Sequence, residues 1–357
     1  MRILIASDAW IPQMNGVVRT LCATRDALIA RDHHVEMLTP DRFSSLPCPT
    51  YPEIRLAFPA PGKVARIIEG FAPDAIHIAT EGPLGLWVRR WCVRNSRRFT
   101  TAYHTQFPDY VAARTGLSPA ILWRYIRWFH RPADHVLTAT ASIRDELRAH
   151  GIDHLTHWGR GVDNSLFHPG HAPHLALVYL PRPIMLYVGR VAVEKNIGAF
   201  LDTTHSGSKV VVGDGPALDG LRSAYPGAHF LGSLSGDALA AAYCGADVFV
   251  FPSRTDTFGL VIIEAMACGT PVAAFPVTGP RDIVTAASGA LDDDLNVAIS
   301  LALQCDRGAV ATQGADHNWG RATDQFLAAL VPSNGHDTHP NTANNLHPAV
   351  EYAPCEA

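Results

Sequence analysis

Lysine is nearly missing from this chain: 357 residues hold three, at positions 63, 195 and 209. An enzyme that carries pyridoxal phosphate as a lysine Schiff base, as a phosphorylase does, has almost no residue to use. Cysteine is scarce and unpatterned. Seven occur, at 22, 48, 92, 244, 268, 305 and 355, with no Cys-x-x-Cys pair. That spacing argues against a cysteine-rich zinc site and for reduced thiols in a cytosolic setting. The turn after the first strand lacks Gly-x-Gly-x-x-Gly, which disfavours a nicotinamide dehydrogenase. No apolar run is long enough to span a bilayer, and Met1-Arg-Ile-Leu-Ile-Ala-Ser7 reads as a buried strand rather than a signal peptide. Charge is modest as well. Charged residues make up 17% and hydrophobic ones 47%, the balance of a globular chain rather than a disordered one.

What is present alternates short apolar β-rich runs with helical ones, the mark of parallel α/β layering. In the first half, strands are expected at 2–7, 34–39, 54–58, 75–79, 99–103 and 135–140, and helices at 16–31, 84–97, 117–131 and 141–150. A Pro- and His-rich stretch at 163–183 reads as a linker. A second series of strands follows, at 184–188, 209–212, 229–231, 247–251 and 271–275. Two doubly wound halves imply a cleft, with ligands gathered where strands end and helices begin. The expected division is an acceptor-binding domain at 1–168, a nucleotide-binding domain at 169–317, a last helix at 318–330 and a disordered tail at 331–357. Charge separates the halves. Residues 1–170 carry 20 Lys plus Arg against 15 Asp plus Glu, and residues 171–357 carry 9 against 18.

The most informative stretch is 253–271, where strand Asp247-Val-Phe-Val-Phe251 runs through a polar loop into a helix expected to begin near Thr257 or Phe258. Gly269 and Pro271 stop that helix. Asp256 sits at its mouth. Glu264 lies two turns inside, and is the only charge between Gly259 and Gly269. A carboxylate among Leu260, Val261, Ile262, Ile263, Ala265 and Met266 is costly to bury without a hydrogen-bond partner. The amides of the same helix start form an anion site. An anion site at the mouth and a carboxylate within suit a nucleotide sugar; the alternative is an amphipathic helix whose Glu264 pairs with a structural Arg or Lys. After strand 184–188 comes Gly189-Arg190-Val-Ala-Val-Glu194-Lys195, which supplies the fixed positive charge that a departing nucleoside diphosphate needs.

The acidic-x7-Glu spacing of Asp256 and Glu264, together with Gly-Arg-x4-Lys at 189–195, resembles the retaining glycosyltransferases of family 4, which have the GT-B fold. The run Arg254-Thr-Asp-Thr-Phe-Gly259 is most similar to the branch of sulfoquinovosyl, mannosyl and diacylglycerol glycosyltransferases. The resemblance covers about residues 1–330. It implies two Rossmann-like domains facing across a cleft, and transfer of a hexose from a UDP or GDP sugar with no other cofactor and no metal. It assigns Asp256 to the hexose, Glu264 to the ribose, and Arg190, Lys195 and the amides of Phe258, Gly259 and Leu260 to the diphosphate. Asp256 stands where most members carry Glu.

Further site residues follow from the resemblance. The loop Asp8-Ala-Trp10-Ile-Pro12-Gln-Met-Asn15-Gly16-Val-Val-Arg19 is similar to the family's amino-terminal glycine loop, placing Gly16 against the donor and Trp10 and Arg19 on the acceptor side. As plain sequence, Asn15-Gly16 is also a tight turn before a helix. His104, past strand 99–103, matches a family His near the donor sugar; it suits a hydrogen bond to a hydroxyl or proton movement. Gly213 lies in a turn expected beside the nucleotide, and Ser233 and Leu234 in one expected to meet the base. Glu81 is either an acceptor ligand or a helix-start carboxylate. Trp158-Gly-Arg160-Gly161-Val-Asp163 is assigned to domain packing first and ligand second.

Region 85–131 holds nine arginines and one acid, Asp109, among Trp87, Trp91, Phe99, Trp123, Tyr125, Trp128 and Phe129. It reads either as a membrane-interface element, which makes a lipid such as diacylglycerol the leading acceptor, or as a core stripe with a solvated basic back. No nucleic-acid module accompanies it. The protein is thus expected in the cytoplasm, with the inner face of the cell membrane as a candidate docking surface. The competing functions are transfer to a soluble or polysaccharide acceptor, a nucleotide-sugar epimerase of the same fold, and a non-catalytic sugar binder.

Overall fold

The computed structural model of the protein describes residues 1–333 apart from 14, 49, 50, 61 and 105–117. In the first half, strands β1 (Arg2–Ala6), β2 (His34–Leu38), β5 (Ala75–Ile78), β6 (Thr100–Tyr103), β7 (His135–Thr138) and β8 (Leu155–His157) form one parallel sheet in the order β2-β1-β5-β6-β7-β8. Helices α1 (Gly16–Ile29), α2 (Lys63–Phe71), α3 (Pro83–Arg94), α4 (Pro119–His130) and α5 (Ala141–Ala149) connect them. In the second half, β9 (Ile184–Val188), β10 (Ser208–Val212), β11 (His229–Gly232), β12 (Val248–Phe251), β13 (Val272–Ala274) and β14 (Gly289–Leu291) form a sheet ordered β11-β10-β9-β12-β13-β14. Its helices are α6 (Ile197–Leu201), α7 (Leu218–Ala224), α8 (Gly236–Gly245), α9 (Leu260–Ala267), α10 (Pro280–Ile283), α11 (Leu295–Ala302) and α12 (Arg307–Ala315). The expected GT-B arrangement, two doubly wound halves with a cleft between them, is what the chain adopts.

Burial explains the apolar runs. All five residues of β9 and all four of β12 are buried, as strands covered by helices on both faces must be. In each sheet the winding reverses beside the first strand, between β1 and β5 and between β9 and β12. A crevice opens at such a reversal because the flanking connections leave to opposite faces.

Three expectations are corrected. The strand expected at 54–58 does not join the main sheet: β3 (Ser45–Cys48) and β4 (Tyr51–Ala57) pair with each other as an antiparallel ribbon. The seven cysteines are not all reduced, because Cys22 is disulfide-bonded while Cys92, Cys244, Cys268 and Cys305 are free thiols. The last helix, α13 (Trp319–Ala329), packs against α1 of the first half. There Arg31 pairs with Asp324 at 2.5 Å, and the buried Phe326 ring lies 4.9 Å from Trp158 and 5.0 Å from His77. Residues 331–333 belong to the same packing. The Ser333 amide and hydroxyl donate to the carbonyls of Asp74 and Pro73, each at 2.7 Å, so the expected tail does not begin at 331. From 334 onward that expectation lies outside the described residues.

Phe326 ties the chain's last helix to the first sheet's core. Phe326→Ala is expected to cost about 3–5 kcal/mol through lost burial and the cavity left behind. Denaturant unfolding of the variant checks this; a change below 1 kcal/mol would show that α13 contributes little.

Candidate active site

β12 ends at Phe251, and the chain crosses Pro252–Gly259 before α9 begins at Leu260, two to three residues later than the sequence suggests. Gly259 caps the helix in the left-handed region, φ 91°, a conformation that disfavours a side chain and delays the first turn. Glu264 therefore sits just over one turn inside. It is 2% exposed and paired from both sides. The Tyr243 hydroxyl donates to Oε2 at 3.1 Å, and the Arg19 guanidinium of α1 bonds Oε1. Arg19, expected at the acceptor side, thus reaches across to the second half. Gly16, at the start of α1, faces the same helix: a Cβ there would lie 3.8 Å from Leu260 Cδ1.

The cationic turn follows β9. Lys195 closes a short 3₁₀ turn, Val193–Lys195, and its ammonium bonds Asp256 Oδ1 at 2.6 Å. The other oxygen, Asp256 Oδ2, is buried without a partner among the described residues. Asn196 clamps the two loops together by donating from Nδ2 to the Pro252 carbonyl at 3.1 Å. Arg190 is exposed at the end of β9, and its carbonyl accepts from the Tyr187 hydroxyl at 2.9 Å. Gly213 lies against this turn so closely that a Cβ would stand 1.9 Å from the Gly189 carbonyl oxygen. Phe258 is buried, while Ser233 is exposed and Leu234 half-buried just past β11.

The first sheet supplies the opposite wall. His104 follows β6 and is 9% exposed; its Nδ1 accepts from Arg160 Nη2 at 2.9 Å. The His104 carbonyl accepts from the Thr257 hydroxyl at 2.6 Å, which joins this wall to the Asp256 loop. The Ser142 amide donates to Asp282 at 2.9 Å in a second contact between the halves. Glu81 is held by α4, with its carboxylate 3.3 Å from His130 Nε2 and its carbonyl accepting from Tyr125 at 2.5 Å. Trp10, expected beside the acceptor, lies in the core under the Arg25 guanidinium, because the loop after β1 folds its aromatic inward.

The basic aromatic region divides by face. Trp123, Phe129, Phe99 and most of Tyr125 are covered. The exposed stripe of α4 is Ile121, Arg124, Arg127, Trp128 and Arg131, with Ile121 61% and Trp128 49% exposed. Arg89 of α3 stacks on Trp128 at 3.8 Å. Among the described residues, no helix is long and apolar enough to cross a membrane.

With this geometry in view, the likeness to known proteins decides the family. Residues 14–166 match the description Glycosyltransferase Family 4, and residues 182–305 match Glycosyl transferases group 1. A GDP-mannose-dependent alpha-mannosyltransferase of Mycolicibacterium smegmatis is 33% identical over 308 residues, covering 80% of this chain and 82% of that protein. The chain belongs to glycosyltransferase family 4. The sulfoquinovosyl transferase SQD2 of Arabidopsis thaliana is 33% identical over 256 residues, 67% of this chain and 50% of that protein. Among solved structures, sucrose-phosphate synthase from Thermosynechococcus elongatus superposes with a TM-score of 0.72 at 24% identity, covering 92% of this chain and 97% of that one. At that identity the likeness speaks for the fold. The protein is thus a glycosyltransferase that uses a nucleotide sugar.

Two side chains of the cleft escape sequence reasoning. Asp8, just past β1, accepts from the amides of Leu84 (2.7 Å) and Gly85 (3.1 Å) and from the Thr80 hydroxyl (2.9 Å), fastening the glycine loop to the start of α3. Burial pushes its carboxyl up, while those three donors pull it down. Arg160 is the other, since its motif read as packing. For Asp8 the available signal was position, two residues past the buried β1; Arg160 follows the half-exposed β8 and carried no such signal.

His77, in the first sheet's core, and His104, at the end of β6, make the fold sensitive to acid. Burial pushes His77 down to about 3, with the Arg160 charge adding to the effect, and pushes His104 well below its usual range for the same two reasons, with His77 contributing. Their folded values lie below the unfolded one, so the unfolded chain binds more protons below pH ~6.5 and stability falls as pH falls. Each histidine contributes up to about 1.4 kcal/mol of loss per pH unit there. Urea unfolding between pH 7 and 5 is expected to show a shallower decline in His104→Asn than in the parent; equal slopes would mean that His104 is not buried neutral.

Proposed function

We propose that the protein transfers a hexose, with retention of configuration and without a metal ion, from a nucleotide diphosphate sugar to an acceptor hydroxyl. GDP-mannose is the leading donor, given the α-mannosyltransferase relative, and a UDP-hexose the second. One juxtaposition carries this reading: Lys195 bonded to Asp256 beside the amino-terminal amides of α9, with Glu264 one turn further in. Cations, oriented amides and two carboxylates at a sheet's reversal point match the diphosphate and hydroxyls of such a donor.

When the donor binds, the ribose hydroxyls take Glu264 in place of the Arg19 guanidinium. The diphosphate takes Lys195, Arg190 and the amides of Phe258, Gly259 and Leu260. Asp256, released by Lys195, accepts from hexose hydroxyls. The bond from the anomeric carbon to the phosphate oxygen then breaks, and its electron pair leaves with the diphosphate. The acceptor oxygen bonds to the anomeric carbon on that same face, and its proton passes to the departing phosphate oxygen. Front-face substitution suits a site whose two carboxylates are engaged in pairing rather than poised as a nucleophile. The cationic side chains stabilise negative charge as it develops, so replacing Arg190 or Lys195 by Ala is expected to cost about 2–4 kcal/mol in kcat/KM. Near-normal turnover in both variants would remove their assigned role. Thermal-shift screening is expected to single out GDP or UDP with its sugar, since only a bound ligand raises the transition; no shift with any nucleotide would end the proposal.

A membrane lipid such as diacylglycerol is the proposed acceptor. The exposed stripe Ile121, Arg124, Arg127, Trp128 and Arg131 pairs apolar side chains with cations, the composition that lies at an anionic interface. Liposome co-sedimentation is expected to rise with anionic lipid and to fall in an Arg124→Glu/Arg131→Glu variant. Binding indifferent to anionic lipid points instead to a soluble acceptor.

A further inference from the structure

Arg160 is a buried cation without a counter-charge. It is 6% exposed, and among the described residues no carboxylate pairs with it. Its Nη1 donates to the carbonyls of Trp158 (2.8 Å) and Gly159 (2.9 Å), its guanidinium stacks on the Trp158 ring at 4.6 Å, and its Nη2 bonds His104 Nδ1 at 2.9 Å. Burial pushes the guanidinium down only to about 9, so it stays charged at neutral pH. A guanidinium has donors and no acceptor. His104 Nδ1 must therefore present a lone pair, which leaves the ring proton on Nε2. Among the described residues that Nε2 is buried and has no partner.

We infer that Arg160 is a positioning residue that locks His104 as a neutral imidazole whose Nε2–H is a permanent donor to a sugar hydroxyl, which bars His104 from acting as a base. The charged and titratable groups facing the ring are Arg160 itself and His77 of β5, whose Nδ1 is bonded to Thr100 Oγ1 at 2.9 Å. Burial and the Arg160 charge oppose a positive charge on the ring, and among the described residues no acid offsets them. The Trp158 ring packs against the imidazole at a steep angle, with centroids 5.5 Å apart. Across the loop contact made by Thr257, the buried oxygen Asp256 Oδ2 also lacks a partner. One orphan donor and one orphan acceptor, one on each half, complement a hydroxylated ring. The acceptor's proton must then go elsewhere, onto the leaving phosphate.

The assignment of the hydroxyl to a sugar rests on the proposed glycosyl transfer; the tautomer does not. The full-length, ligand-free protein labelled with ¹⁵N-histidine tests the lock, with His104 identified among 18 histidines by the signals lost in His104→Asn. An unprotonated Nδ1 and a protonated Nε2, unchanged between about pH 8 and 5, is the expected result. A proton on Nδ1, or a ring that titrates in that window, overturns the inference. In Arg160→Met the ring is expected to mix tautomers or to titrate, while Arg160→Lys, which keeps a donor and the charge, restores the parent pattern. If Arg160→Met does not fold, the parent and Arg160→Lys spectra still decide. The kcat/KM profile of Arg160→Met is expected to gain an acid limb that the parent lacks; a parent profile already governed by His104 ionisation counts against the lock. A locked ring in a protein that transfers no sugar would sink the proposed function and leave this inference standing.

Discussion

The Glu264 carboxylate lies inside the second half of the protein, yet one of its two partners, Arg19, comes from the first. Much of the site depends on that cross-cleft pair. An ionised carboxylate in an apolar helix is tolerated only when charge and hydrogen bonds surround it. Tyr243 supplies one bond and Arg19 the charge. The glycine loop is thereby held over the start of α9, and Gly16 is brought against Leu260. Asp8 secures the same loop from behind through α3. Removing the carboxylate would loosen the wall as well as the ligand site.

A common logic governs the polar groups around the cleft. Asp8, Asp256 and Glu264 are engaged by backbone amides or a cation, while Asp256 Oδ2 and His104 Nε2 are among the buried atoms left without partners among the described residues. Buried polar atoms without partners are rare in folded proteins because leaving a bond unmade costs more than making it gains. A hydroxylated ligand between the two sheets would complete the pairing of these two.

Much of this architecture was legible beforehand. Continuous apolar runs placed nearly every strand of the two main sheets, since parallel strands must be hydrophobic on both faces. The pairing of β3 with β4 escaped because the ribbon stands outside those sheets, with Leu46 62% exposed. The position of α13 also escaped: periodicity reveals a buried face but not which core receives it. The start of α9 slipped by two to three residues, because Gly259 adopts a left-handed cap that composition alone does not reveal.

The order of residues by itself settled the layered α/β class, the two cationic and acidic signatures, and the family they belong to. These are local patterns, set by strand periodicity, helix ends and spacing along the chain. Tertiary structure alone decided that Arg19 meets Glu264, that Arg160 meets His104, and that Trp10 turns into the core. Those pairings join residues 56 to 245 positions apart. Arg19 and Glu264 meet only when the two sheets face each other, and Arg160 and His104 only when the first sheet brings the ends of β6 and β8 together.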